Sequence, residues 1–126
     1  MATILVIDDD DAVRDFLVEA IEEAGHKVIA AEGGVAGLSK FAEAQPDMVL
    51  TDIIMPDRDG LEVISEIRSA DPQARIVAMS GGALRTTAVF CLDAAMELGA
   101  MAVLKKPFRL AQLMETIDGC LRSCPR

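Results

Sequence analysis

The chain has 126 residues, of which 52% are hydrophobic and 26% charged, and its formal net charge is −9. This length fits a single domain, and the composition is typical of a globular protein rather than a disordered one. The strongly negative charge argues against binding to a phosphate backbone, so we expect no nucleic-acid partner.

Membrane insertion and secretion are also not indicated. No apolar run approaches the roughly 18 residues that cross a bilayer, and the first residues, MATILVIDDD, lack the basic segment of a signal peptide. The three cysteines contain no CxxC pair, which argues against a disulfide framework or a zinc site. We therefore expect a protein of the reducing cytoplasm, without a membrane partner.

Five short apolar segments alternate with longer amphipathic ones along the chain. The predicted strands are Thr3–Ile7, Lys27–Ala31, Asp47–Asp52, Arg75–Ser80 and Ala102–Lys105. Most of their interiors are continuously apolar, a pattern typical of strands that are covered on both faces. Strands that alternate with helices in this way predict βαβ units and a parallel sheet.

The helical patterns lie between and after these strands. Apolar residues recur at helical spacing from Val13 to Ala24, and Gly25 supplies a stop. The other predicted helices are Gly34–Ala44, Gly60–Ala70, Thr87–Leu98 and Arg109–Arg122. Gly119 weakens the last turn of the final helix. The run Gly33-Gly34-x-x-Gly37 is interpreted as a turn and helix entry, not as a phosphate-binding loop.

Polar residues follow four of the five strands, at the edge where a parallel sheet binds its ligands. The runs at these strand ends are Asp8-Asp9-Asp10-Asp11, Asp52, Ser80 and Lys105-Lys106-Pro107. Asp10 and Asp11 are suited to capping the first helix. The remaining carboxylates would repel one another unless a cation compensates them, and hard oxygen ligands of this kind suit Mg²⁺. A carboxylate in such a site can form an aspartyl-phosphate, with an ammonium and a hydroxyl stabilising the phosphoryl oxygens.

These residues resemble the receiver domain of two-component response regulators, the CheY-like family. The segments that are similar are Ile4-Leu5-Val6-Ile7-Asp8-Asp9, the D-x-x-M-P-x-x-D-G run from Asp52 to Gly60, and Lys106-Pro107-Phe108. The resemblance covers essentially the whole chain. It implies one receiver domain over residues 1–126, with a flavodoxin-like, doubly wound (βα)5 fold and a five-stranded parallel sheet of order 2-1-3-4-5.

The resemblance also implies the roles of the site residues. Asp52 would be the phosphoacceptor. Asp9 would bind Mg²⁺ directly, Asp8 directly or through water, and Ile54 through its main-chain carbonyl.

The other implied roles lie around the acceptor. Ser80 would be the hydroxyl that moves to the phosphoryl oxygens, and Lys106 the lysine that pairs with them. The family usually has a cis peptide before the residue equivalent to Pro107. Gly60 would let the chain turn into the third helix.

Two features depart from the family pattern. Val103 stands where the family often has a Tyr or Phe that changes rotamer, which argues against signalling through such a ring. The segment from Ser80 to Gly99 is several residues longer than usual, so we expect a longer loop before the fourth helix, with an effect on the choice of partner.

We therefore expect a stand-alone receiver that accepts phosphoryl from a phosphohistidine on a histidine kinase or histidine phosphotransfer protein. Its output would be the binding of a protein target on the helix 4–strand 5–helix 5 face. We expect only slow gain and loss of its own phosphate, not enzymatic turnover. The alternatives are a degenerate receiver that binds partners without phosphorylation and a haloacid-dehalogenase-type phosphatase, which Asp9-x-Asp11-x-Val13 fits formally.

Overall fold

The computed structural model describes residues 2–80 and 93–122 of the chain. The strands in these residues are β1 (Thr3–Ile7), β2 (Lys27–Ala31), β3 (Met48–Asp52), β4 (Ile76–Ser80) and β5 (Ala102–Lys105). The helical segments are α1 (Asp11–Glu23), α2 (Gly34–Ala44), α3 (Gly60–Ala70), α4 (residues 93–98) and α5 (Leu110–Arg122). The predicted alternation of strands and helices is confirmed, and β3, β4 and α5 each begin one residue later than predicted.

Some predictions concern residues that the structure does not describe. The first part of the helix predicted at Thr87–Leu98 and the long loop predicted after Ser80 lie outside the described residues, as do Cys91 and Cys124. The described cysteine, Cys120, is buried and free.

All five strands are parallel and form one sheet of order β2-β1-β3-β4-β5, as predicted. The register pairs Ile7 of β1 with Thr51 of β3, and Ser80 of β4 with Lys105 of β5. The carboxyl ends of the central strands therefore lie at one edge of the sheet. This register brings the acidic end of β1 beside Asp52 at the end of β3.

The sheet is covered on both faces because neighbouring residues of each strand point to opposite sides. Ile4 and Val6 belong to the apolar cluster that α1 and α5 cover, whereas Leu5 and Ile7 belong to the cluster on the other face. All four of these side chains are fully buried. Burial on both faces explains why the strand interiors are apolar without alternation.

The helix ends follow from local chemistry. Asp10 is the N-cap of α1, and its carboxylate accepts hydrogen bonds from the N–H groups of Ala12 and Val13. Gly25, with φ of +97°, follows the end of α1 in the backbone region that glycine favours. At the other end of the chain, α5 continues through Gly119 to Arg122, so its last turn forms despite the glycine. None of the helices formed by residues 2–80 and 93–122 is both long and apolar enough to cross a membrane.

Candidate functional site

Three carboxylates meet at the carboxyl edge of the sheet. Asp8 and Asp9 follow β1 and Asp52 ends β3, and one oxygen from each lies within 4.8 Å of the others. Asp8 is fully buried and Asp52 is 8% exposed, whereas Asp9 is exposed to solvent. Asp52 lies more than forty positions after Asp8 and Asp9 in the chain, and the parallel register brings the three together.

An ammonium group lies directly beside this acidic cluster. Lys106 follows β5, and its Nζ donates to Asp8 Oδ2 at 2.9 Å and lies 3.5 Å from Asp52 Oδ1. Burial lowers the pKa of Lys106, but the hydrogen bond to Asp8 and the charges of Asp52 and Asp8 outweigh it and leave the pKa raised. Lys106 therefore stays protonated at neutral pH and compensates part of the negative charge.

The environment of Asp52 opposes its ionisation. Burial raises the pKa of Asp52 from 3.8 to about 6, and the nearby Asp8 charge acts in the same direction. The charge of Lys106 and the N–H of Ile53, which donates to Asp52 Oδ1 at 3.0 Å, act against this increase. Asp52 is therefore mostly ionised at pH 7, but its negative charge is less well stabilised than it would be in water, because burial removes part of its hydration.

A buried hydroxyl lies at the end of β4. Ser80 is fully buried, and its Oγ has no hydrogen-bond partner among the described residues. A buried unpaired hydroxyl costs free energy, so its presence needs an explanation. The register places Ser80 beside Lys105, directly before Lys106, at the same edge as the acidic cluster.

The backbone around the site has two special features. The Lys106–Pro107 peptide bond is cis, as the resemblance implied. Gly60 begins α3 where the chain passes very close to β3, because a Cβ there would lie 2.2 Å from the carbonyl oxygen of Asp52. The Gly60 N–H donates to the carbonyl of Ile53 at 2.6 Å. Only glycine fits this close approach without displacing the strand end.

Two further predicted positions are Ile54, in the loop after β3, and Val103, within β5. Ile54 is two residues after Asp52, and its side chain is 48% exposed. Val103 lies in β5, pairs with Ala78 of β4, and packs partly buried against the apolar cluster on the α2–α3 side.

Two contacts of charged side chains near the site were not expected from the sequence. Arg14, on the first turns of α1, donates from Nη1 to the carbonyl of Asp8 at 2.8 Å and pairs with Asp11. Asp57, in the loop after β3, accepts from two N–H groups at the start of α2. An arginine soon after the acidic run is a usable signal for the first contact. The second joins residues more than twenty positions apart, so no local signal indicates it.

The acidic cluster has the chemistry that Mg²⁺ requires. Its three carboxylates are hard oxygen donors close enough to share one ion, and Mg²⁺ is commonly bound by one or two carboxylates with water and phosphate oxygens. Two of them are buried, with one lysine between them, so a cation would relieve their repulsion.

The fold and this site define a class of protein. A family model for the response regulator receiver domain matches residues 4–118. The chain therefore belongs to the response regulator receiver domain family.

Relatives and solved structures agree with this assignment. The chain is 40% identical over 123 residues to the DNA-binding transcriptional regulator NtrC of Azospirillum brasilense, covering 97% of this chain but 24% of NtrC. It is 33% identical over 119 residues to the chemotaxis protein CheY of Bacillus subtilis, covering 94% of this chain and 96% of CheY. A receiver domain structure from Clostridium thermocellum superposes with a TM-score of 0.85 at 29% identity, covering 96% of this chain and 94% of that one. The chain thus spans about a quarter of NtrC and nearly all of CheY.

Proposed function

We propose that this receiver domain is a phosphoacceptor in two-component or phosphorelay signalling, with Asp52 as the acceptor. The observation that supports this most is the position of Asp52 at the carboxyl edge of the sheet. Its carboxylate lies within 4.8 Å of two other carboxylates and 3.5 Å from the Lys106 ammonium. This arrangement combines a nucleophile with groups that can stabilise a phosphoryl group.

The phosphoryl donor would be a phosphohistidine of a histidine kinase or histidine phosphotransfer protein. A carboxylate oxygen of Asp52 attacks the phosphorus, and the bond from phosphorus to the imidazole nitrogen breaks. The electron pair of that bond stays on the imidazole nitrogen, and Asp52 becomes an acyl phosphate. Because Asp52 is mostly ionised at pH 7, the attack needs no general base.

Mg²⁺ is the proposed cofactor of this step. The carboxylates of Asp8, Asp9 and Asp52, with the main-chain carbonyl of Ile54, would hold the ion, which when bound neutralises charge on the phosphoryl oxygens. Lys106 would exchange its present contact with Asp52 for a phosphoryl oxygen.

Ser80 provides the link from phosphorylation to output. Its unpaired, buried hydroxyl can donate to a phosphoryl oxygen on Asp52, which would satisfy a group that otherwise has no described partner. Phosphorylation would thereby shift a pre-existing equilibrium of the segment after β4 and of the α4–β5–α5 face, where a target protein would bind. With Val103 in place of an aromatic ring, this shift would not depend on a ring rotation.

The position of Asp11 supports a receiver over the phosphatase alternative. The pattern Asp9-x-Asp11-x-Val13 would need Asp11 beside the reacting group, but Asp11 points to solvent, with a side chain 83% exposed, and pairs with Arg14. We therefore propose a protein that gains and slowly loses one phosphoryl group. The absence of turnover on p-nitrophenyl phosphate, a generic phosphate ester, would support this.

The proposal is tested by the intact mass of the protein after incubation with acetyl phosphate. We expect a phosphoryl adduct that requires Mg²⁺ and that Asp52→Asn does not form. An adduct that persists in Asp52→Asn would refute the acceptor assignment. No adduct under any condition would favour a degenerate receiver that binds its partners without phosphorylation.

A further inference from the structure

Gly33 and Gly34, which follow β2, do more than form a turn. A Cβ on Gly33 would lie 2.8 Å from Asp57 Oδ2, and one on Gly34 would lie 2.8 Å from Arg58 Cβ. Both distances are shorter than the contacts that real Cβ atoms make in proteins. The glycines therefore allow the start of α2 to approach residues 53–59, which connect β3 to α3 and which we call the acceptor loop.

Asp57 fixes this close approach with two hydrogen bonds. The N–H of Gly34 donates to Oδ1 at 3.1 Å, and the N–H of Val35 donates to Oδ2 at 3.0 Å. The N-cap residue of α2 is Gly33, which has no side chain to accept these bonds. A carboxylate from outside α2 thus caps this helix. The hydrogen bonds from its N–H groups, of which the one from Val35 has the largest effect, lower the pKa of Asp57.

The acceptor loop is held at its start and near its end. At its start, the N–H of Ile53 donates to the carbonyl of Met79 at 3.0 Å. Met55 is buried in the apolar core. Near its end, Asp57 joins the loop to α2. Ile54 lies between these contacts, and its half-exposed side chain provides little anchoring of its own.

We infer that Asp57 is a positioning residue for the metal site, because its bonds to the start of α2 fix the acceptor loop that presents the Ile54 carbonyl. The inference rests on the proposed Mg²⁺-dependent function. Without the Asp57 carboxylate, the acceptor loop loses its two hydrogen bonds to the start of α2. The position of the Ile54 carbonyl is then less restricted. Loss of a group that hydrogen-bonds a ligand directly typically weakens metal binding by 10- to 100-fold, and Asp57 acts on Ile54 only through the loop, so we expect an effect at the lower end of that range.

Asp59 offers a matched control. It lies in the same loop and is also exposed, and it also caps a helix, because its Oδ1 accepts from the N–H of Glu62 at 2.9 Å. This cap is local to α3 and does not connect the loop to α2. Asp59→Ala therefore removes the same charge and one helix cap but leaves the contact between Asp57 and α2 in place.

The test is calorimetric titration of the chelator-stripped protein with Mg²⁺ at constant salt, for wild type, Asp57→Ala, Asp57→Asn and Asp59→Ala. We expect the dissociation constant to rise on the order of tenfold in Asp57→Ala and to change by less than about twofold in Asp59→Ala. Asp57→Asn keeps one acceptor oxygen, so its dissociation constant should lie between those of wild type and Asp57→Ala. It also replaces Asp57→Ala as the decisive variant if the alanine protein does not fold.

Phosphorylation by acetyl phosphate gives a second readout. In Asp57→Ala the Mg²⁺ concentration for half-maximal rate should rise while the rate at saturating Mg²⁺ is retained. A lower melting temperature with unchanged Mg²⁺ affinity would show that Asp57 is only a helix cap and would overturn the inference. A wild-type protein that binds no Mg²⁺ would instead refute the proposed function itself, and the inference with it.

Discussion

Replacing Asp52 with asparagine is expected to stabilise the metal-free protein at neutral pH. The carboxylate is almost completely buried, and its pKa rises from 3.8 to about 6 in the folded state. An acid with a raised pKa is ionised more readily in the unfolded chain, so ionisation favours unfolding. The shift of about 2 pH units corresponds to roughly 3 kcal/mol once both states are ionised.

This contribution depends on pH in a defined direction. Well below pH 4, at about pH 2.5, the carboxyl is protonated in both states and has no such cost. Between about pH 4 and pH 6 the folded state binds more protons than the unfolded state, so stability falls as the pH rises. The gain from Asp52→Asn should therefore be small at pH 4, about 0.5 kcal/mol, and largest at pH 7, where it corresponds to a rise in melting temperature of roughly 10 °C.

The assay is thermal and urea unfolding in EDTA at pH 4 and pH 7. Asp118→Asn is the control, since it removes the same charge from an exposed position on α5 and should change stability by less than about 0.5 kcal/mol. Added Mg²⁺ should stabilise wild type more than Asp52→Asn. A gain no larger than that of the control, or one equal at both pH values, would refute the argument from burial and ionisation.

Two further predictions concern packing and the buried ion pair. Gly60→Ala should destabilise the protein by about 1–3 kcal/mol in urea unfolding and reduce phosphorylation, because the new Cβ meets the Asp52 carbonyl. A Cβ on Gly119 of α5 would meet no atom of the described residues within 4 Å beyond its own helix backbone, so Gly119→Ala should instead stabilise the protein by roughly 0.5–1 kcal/mol. The same sign for both variants would contradict the packing argument. Lys106→Met should destabilise by about 3 kcal/mol, because it leaves the fully buried Asp8 without its ammonium partner. Adding Asp8→Asn should recover part of this loss, and no recovery would show that the loss does not come from the unpaired charge.

The order of elements could be predicted from the sequence because it depends on local patterns. Continuous apolar runs indicate strands covered on both faces, and helical spacing with Gly25 or Asp10 at its ends indicates where a helix starts or stops. The ligand-binding edge follows from the topology of parallel sheets, so the acidic end of β1 and Asp52 could be assigned to one site in advance. The finer roles of Ser80 and Lys106 came from the resemblance to a family.

Tertiary structure decided what depends on distances across the sheet and between loops. Sequence places four aspartates in a row after β1, but only the fold shows that Asp8 is buried against Lys106 while Asp11 faces solvent. The raised pKa of Asp52 likewise depends on burial by segments far away in sequence. The glycines after β2 and the contact of Asp57 with α2 have no local signal, because the atoms that need this space lie more than twenty residues apart. Local patterns determine elements and their order, whereas packing determines which charges are buried and which loops hold one another.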